Sequence, residues 1–155
     1  MSIVQRIMPF FALALMGVAA PATGQSPAPS QAAIDETVKI YCDAWGEPDV
    51  AKRRQLLQRV WGEDATYTDP ATSQIKGREA LVNHISAHLQ KYSGSTIVPS
   101  SHANIHHGMF RFSWQFVLAD GKVQTEGIDF GELAPDGRIA RIVGFFGALK
   151  PLQVK

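Results

Sequence analysis

The residue of this sequence best placed to do chemistry is an aspartate set among aromatic rings. Across residues 109–118, Phe110, Phe112, Trp114, Phe116 and Leu118 alternate with Arg111, Ser113 and Gln115, the period-two pattern of a half-buried strand. Asp120-Gly121 follows, a strong short-range signal for a two-residue hairpin turn. If Ala119 faces Lys122, then Phe116 faces Thr125, Trp114 faces Gly127 and Phe112 faces Asp129. Opposed residues share a face of the sheet, so Asp129 points to the aromatic side. No basic residue shares that face, and an ionised carboxylate there would lose hydration with no partner, so its pKa should rise. Gly127 and Gly131 lie on the same face and are expected to leave open volume on either side. A desolvated carboxyl beside empty space is a candidate site group.

Other reactive side chains carry weaker signals. Asp69 precedes Pro70, and Asp-Pro favours a turn without further cause. Tyr41 sits on an apolar stripe, as core tyrosines do. His84 and His88 are spaced i, i+4 on one helical face, but no third ligand follows at a recognisable spacing, so no metal is expected. His102, His106 and His107 belong to no motif. The single cysteine, Cys42, cannot form an internal disulfide and reads as a small buried hydrophobe in a helix. There is no Gly-x-Ser-x-Gly, and Gly77-Arg78-Glu79 leads into a helix rather than forming a phosphate loop. No cofactor is implied. Net charge is +1, and the one basic cluster, Lys52-Arg53-Arg54, reads as a solvated helix face, so a nucleic-acid partner is not expected.

The elements that must position these groups follow from periodicity. Residues 32–45 place Ile34, Val38, Tyr41 and Trp45 at helical spacing, with Ser30 near the N-cap. Gly46-Glu47-Pro48 breaks that helix. A second opens at Pro48, carries Val50, Leu57, Val60 and Trp61 as its stripe, and ends at Gly62. A short strand over 65–68 stops at Asp69-Pro70. Residues 77–92 form a third helix with Ala80, Leu81, His84, Ile85, His88 and Leu89 on one side. After Ser93-Gly94 the period changes to two, giving strands at 96–105, 109–118, 122–133 and 138–146, with a second turn at Pro135-Asp136-Gly137. Helices first and antiparallel strands afterwards mean an α+β fold with helices on one face of a curled sheet. The space between should be a pocket for an apolar small molecule, walled by Trp45, Trp61, Tyr67, His84, His88, Phe112, Trp114, Phe116, Ile142 and Phe146.

The N-terminal stretch follows a different logic. Arg6 precedes an apolar run over 7–20, and Ala22-Thr23-Gly24 supplies small residues, the pattern of a secretory signal over residues 1–24. The run is shorter than the roughly twenty residues of a membrane-spanning helix. Residues 25–31 read as a disordered linker, and 32–150 as the folded domain. An exported protein, periplasmic or secreted and free of the membrane after cleavage, is the expectation.

The motifs WGEDATYTDP (61–70) and GREAL (77–81), then GIDF (127–130), DGRI (136–139) and GFFG (144–147), resemble the NTF2-like superfamily, SnoaL-like branch. The resemblance covers about residues 33–148. It implies a cone of curved, cystatin-like sheet capped by helices, often a homodimer through the outer sheet face. Three positions are similar to the site of ketosteroid isomerase: Tyr41 to its oxyanion-binding tyrosine, Asp69 to its proton-shuttling aspartate, and Asp129 to its protonated aspartic acid. The resemblance thus implies a cofactor-free isomerase, cyclase or lyase acting next to a carbonyl. Two other readings stand beside it, with an interaction or dimerisation scaffold as a third. One is a non-catalytic periplasmic binding module for an apolar ligand. The other is epoxide opening by an Asp–Arg–Asp set, against which Arg111 and Arg141 are expected to face outward.

Overall fold

The computed structural model describes residues 29–153, so the expected signal peptide and most of the linker lie outside the described residues. Helix α1 (Gln31–Gly46) starts inside the segment expected as linker, because Ser30 Oγ accepts the amide of Ala33 and caps it. It buries Ile34, Val38, Tyr41 and Trp45. Asp49 caps α2 (Val50–Val60) through the amides of Ala51 and Lys52. Among the described residues no helix is long and apolar enough to cross a membrane.

The second helix ends earlier than its periodicity suggests. Trp61 belongs to strand β1 (Trp61–Asp69), which is more than twice as long as the expected short strand and carries an irregularity between Trp61 and Thr66. A Cβ on Gly62 would sit 3.1 Å from the Ile139 carbonyl, so that stretch needs a residue without one. Strand β2 (Thr72–Lys76) was not expected at all. It is an edge strand with little burial, held by pairs such as Tyr67 with Ile75, and it has no apolar alternation to reveal it. Helix α3 (Arg78–Lys91) follows and buries Leu81, Val82 and Ile85.

The expected strand over 96–105 is two strands, β3 (Thr96–Pro99) and β4 (Asn104–His106). Both pair with β5 (Met109–Val117). The gap between them is bridged by Ser101 Oγ, which accepts the Ser113 amide. Strands β6 (Val123–Leu133) and β7 (Ile139–Phe146) complete a seven-stranded, curved and unclosed sheet in the order β2-β1-β7-β6-β5-β3. Every pairing is antiparallel except that of β1 with β7, which is parallel. The helices pack on one face and the core lies between.

The hairpin between β5 and β6 corrects the turn and keeps the register. The Gly121 amide bonds to Leu118 O, and the Leu118 amide to Lys122 O, so the loop has three residues with Gly121 at φ +83°. That alone would displace every later pair by one. A shift between Phe116 and Val117 restores it, and Phe116 faces Thr125, Trp114 faces Gly127 and Phe112 faces Asp129.

Arg53 overturns the reading of its cluster as wholly solvated. Lys52 and Arg54 are exposed, and Arg54 pairs with Glu79 at 2.7 Å. Arg53 is only 1% exposed. Its Nε donates to Glu47 O, Nη2 to Glu47 O and Pro48 O, and Nη1 to Val82 O and Ser86 Oγ. Every guanidinium N–H is thereby used to tie the α1–α2 turn to α3.

Candidate active site

Between the helices and the inner face of the sheet lies a cavity of about 550 Å³, within the size range of small-molecule sites. Asp129 lies on its wall, 5% exposed, with Oδ1 accepting the indole N–H of Trp114 at 2.7 Å. Burial pushes its pKa up to about 7. The Trp114 bond opposes the rise, the charge of Asp69 adds to it, and the Tyr41 hydroxyl opposes it again. The direction is the one the sequence led us to expect, and its main cause is desolvation.

Asp69 reaches the same place from the end of β1. It is half-buried; Oδ2 accepts the Tyr67 hydroxyl at 2.6 Å and Oδ1 the Ala71 amide at 2.8 Å. The second bond is the Asx turn that Asp-Pro favours. Gly144 brings the two acids together: a Cβ there would lie 3.1 Å from Asp129 Oδ1 and 3.4 Å from Asp69 Cβ. Two carboxyl groups far apart in sequence thus flank one small residue.

Tyr41 projects from α1 into this corner. Its ring stacks on Trp61 at 5.8 Å and meets Phe112 edge-on at 6.4 Å. Burial, and then the nearby Asp129, push its hydroxyl well above the usual phenol range, while a hydrogen bond with Trp45 works the other way. Tyr67 is raised by burial and by its bond to Asp69. On the α3 wall, burial holds His84 and His88 below the usual imidazole range. His88 is boxed by Trp45, Tyr92 and Phe116 at 5.2–5.5 Å.

The cavity is lined by ten of the expected residues: Tyr41, Trp45, Tyr67, Asp69, His84, His88, Trp114, Phe116, Asp129 and Phe146. Trp61, Phe112 and Ile142 are instead core. Each is fully or almost fully buried, and Trp61 and Phe112 reach the cavity only through Tyr41, which they support. The expected openings at Gly127 and Gly131 are also absent. Cβ atoms there would fall 2.3 Å from the rings of Trp114 and Phe110, so the glycines are filled by aromatic rings and the free space lies on the helix side. Residues missed from sequence are Ala71 and Thr72, then Ala87, Lys91 and Tyr92, and Ile97, Gln124 and Thr125. Helical spacing from His84 pointed to Ala87 and Lys91. Nothing local pointed to Ala71 and Thr72, because the β1–β2 turn was unrecognised.

Arg111 and Arg141 are exposed on the outer face, Arg141 lying 3.6 Å from Glu132, and no arginine lines the cavity. Among the described residues no three His, Cys, Asp or Glu side chains converge as a metal-binding set.

Residues 38–142 match the SnoaL-like domain. The chain belongs to the SnoaL-like family. A candidate SnoaL-like isomerase from Agrobacterium tumefaciens str. C58 is 33% identical, covering 73% of this chain and 96% of that one, with a TM-score of 0.68. A candidate SnoaL-like polyketide cyclase from Jannaschia sp. CCS1 is 15% identical, covering 79% and 91%, at 0.61. An LEH-like epoxide hydrolase from M. tuberculosis is 16% identical, covering 77% and 86%, at 0.58. The latter two share the fold. No curated protein matches the chain. Relatives with such different names leave the chemistry of this SnoaL-like protein to its own residues.

Proposed function

We propose that this SnoaL-like protein is a cofactor-free proton-transfer enzyme, an isomerase, cyclase or lyase acting beside a carbonyl in an apolar pocket. One observation carries this: two aspartates flank Gly144 in contrasting environments, one buried without a countercharge and one hydrogen-bonded on a turn. Contrasting environments are how one site holds an acid and a base at the same pH.

In this reading the Asp69 carboxylate takes a proton from the carbon next to the carbonyl. The C–H electron pair becomes a C=C bond, and the carbonyl π pair moves to oxygen. Tyr41 and neutral Asp129 donate hydrogen bonds to that oxygen. The indole of Trp114 can only donate, so it occupies Asp129 Oδ1 as an acceptor and leaves the acid proton to Oδ2. Asp69 then returns the proton at another carbon, or the enol carbon attacks an electrophile within the substrate. Asp69 remains able to act although both oxygens accept bonds, since a carboxylate has about four lone-pair sites.

The test is solvent deuterium exchange into a panel of enolisable cyclic ketones, followed by NMR. The wild type should catalyse exchange that Asp69→Asn lacks. A folded wild type that exchanges no ketone of the panel removes the catalytic reading. The engaged oxygens of Asp69 favour the second reading, a binding module. That protein would be stabilised thermally by apolar ligands, and Asp69→Asn would leave the stabilisation intact.

We further propose export, for which N-terminal sequencing of the cell-envelope fraction is the check. We also propose that two copies pair through the outer sheet face, where Ile128 and Phe145 are 40% and 58% exposed. Phe145→Glu should then turn a dimer into a monomer on sedimentation.

A further inference from the structure

The proposed proton-transfer chemistry uses only Asp69, Asp129 and Tyr41 of the cavity wall. The α3 wall carries His84, His88 and Lys91, at i, i+4 and i+7, so all three lie on one stripe of the helix and line the cavity. From His84 to Lys91 the helix advances about 10 Å. His84 and His88 both feel the charge of Asp69. Lys91 lies at the exposed rim, its Nζ 5.0 Å over the Tyr92 ring, and it forms no ion pair among the described residues.

His88 supplies the second observation. Its Nε2 is buried and finds no hydrogen-bond partner among the described residues, although an unmatched buried polar atom is costly. The rings of Trp45, Tyr92 and Phe116 surround it, and none of their polar atoms bonds to Nε2. Burial, His84 and Lys91 all disfavour its charged form. At neutral pH it is therefore a neutral hydrogen-bonding group, and Lys91 supplies the positive charge.

We infer that the ligand is a monoanion: a compact ring ketone whose carbonyl meets Tyr41 and Asp129 and whose carboxylate reaches the α3 stripe. There the carboxylate pairs with Lys91 and accepts a hydrogen bond from His88, whose ring turns to bring its buried nitrogen to the cavity. One lysine and two neutral imidazoles supply a single positive charge, which balances a carboxylate and leaves a dianionic phosphate half uncompensated. The anion lies toward the rim, away from Asp69 and Asp129, where repulsion is least. The inference rests on the proposed function for the carbonyl end and adds the acid group at the other.

The test is isothermal titration with hydroxynaphthoic acid, its two groups at opposite ends of the ring system, against its methyl ester. The hydroxyl imitates the enol oxygen. The acid should bind about tenfold more tightly than the ester at low salt. Lys91→Gln, an exposed substitution that leaves folding intact, should bring that ratio close to one, as should added salt. His88→Phe should reduce it too. Equal binding of acid and ester to the wild type, or a preference that survives Lys91→Gln, overturns the inference. If both bind equally and Asp129→Ala weakens both, the carbonyl end stands and only the acid group is lost. If neither binds, the inference falls, and deuterium exchange into the ketone panel decides separately whether the proposed function stands.

Discussion

Arg53 and Asp129 are both buried ionisable side chains, 1% and 5% exposed, and neither has an oppositely charged partner. They differ in how their hydrogen bonds close. Arg53 has all its donors satisfied by three carbonyls and a hydroxyl, in a socket between the α1–α2 turn and α3. Asp129 accepts the Trp114 indole N–H at Oδ1 and lies beside the Tyr41 hydroxyl, with a cavity of about 550 Å³ next to it. A buried charge with a complete shell is a structural tie. A buried acid with an incomplete shell facing open volume is available to a ligand. Burial alone would have grouped the two together.

The comparison can be tested by breaking each side. The largest expected effect is at the proposed base beside Asp129: Asp69→Asn should reduce deuterium exchange about 10²–10⁴-fold, measured on folded protein. Arg53→Met, by contrast, should leave exchange per folded molecule unchanged and lower stability by about 3 kcal/mol, since it leaves buried carbonyls without donors. Urea denaturation reads this, and the loss should be the same at pH 5 and pH 8 because arginine stays charged throughout.

Asp129 should behave oppositely with pH. Its folded pKa of about 7 lies above the ordinary 3.8, so the folded state binds the proton more tightly than the unfolded chain. Stability then falls as pH rises from about 4 to about 7, and above that the cost is complete. Asp129→Asn should therefore stabilise the protein at pH 8, by up to about 4 kcal/mol, and have little effect at pH 4. Activity that needs the neutral acid should decline as pH rises through about 7. An Asp129→Asn protein no more stable than wild type at pH 8 would put Asp129 in the same class as Arg53. The smallest effect belongs to Trp114→Phe. Losing the indole donor removes a bond that favours the charged form, so the alkaline limb of the rate profile should move up by about one pH unit. A limb that stays put would show that Trp114 only packs.

Much of the fold was legible in the sequence because its signals are local. The three helices, the four-strand region and the inward direction of Asp129 all follow from period and alternation. The register survived an error at the hairpin only because a bulge between Phe116 and Val117 offset the longer loop. Edge strand β2 was invisible, since it is held by backbone pairing and buries little. The break between β3 and β4 was equally hidden, being set by how far β5 extends beyond each short partner.

The site was less legible than the fold. Tyr41 and Asp69 read by themselves as core and turn, and only a resemblance gave them roles. Trp61, Phe112 and Ile142 were apolar and inward, but an inward residue can support a cavity wall without forming it. Gly127 and Gly131 looked like openings, yet the rings of Trp114 and Phe110 lie across them.

The sequence by itself determined which side chains share a strand face or a helix stripe, because covalent geometry sets those periods within a few residues. Only the tertiary structure decided that Asp69 meets Asp129 across Gly144, that Arg53 is enclosed while its neighbours are solvated, and that the free volume lies toward α3. Those outcomes depend on which surfaces pack together and which rings fill the gaps, and packing joins residues that no local period relates.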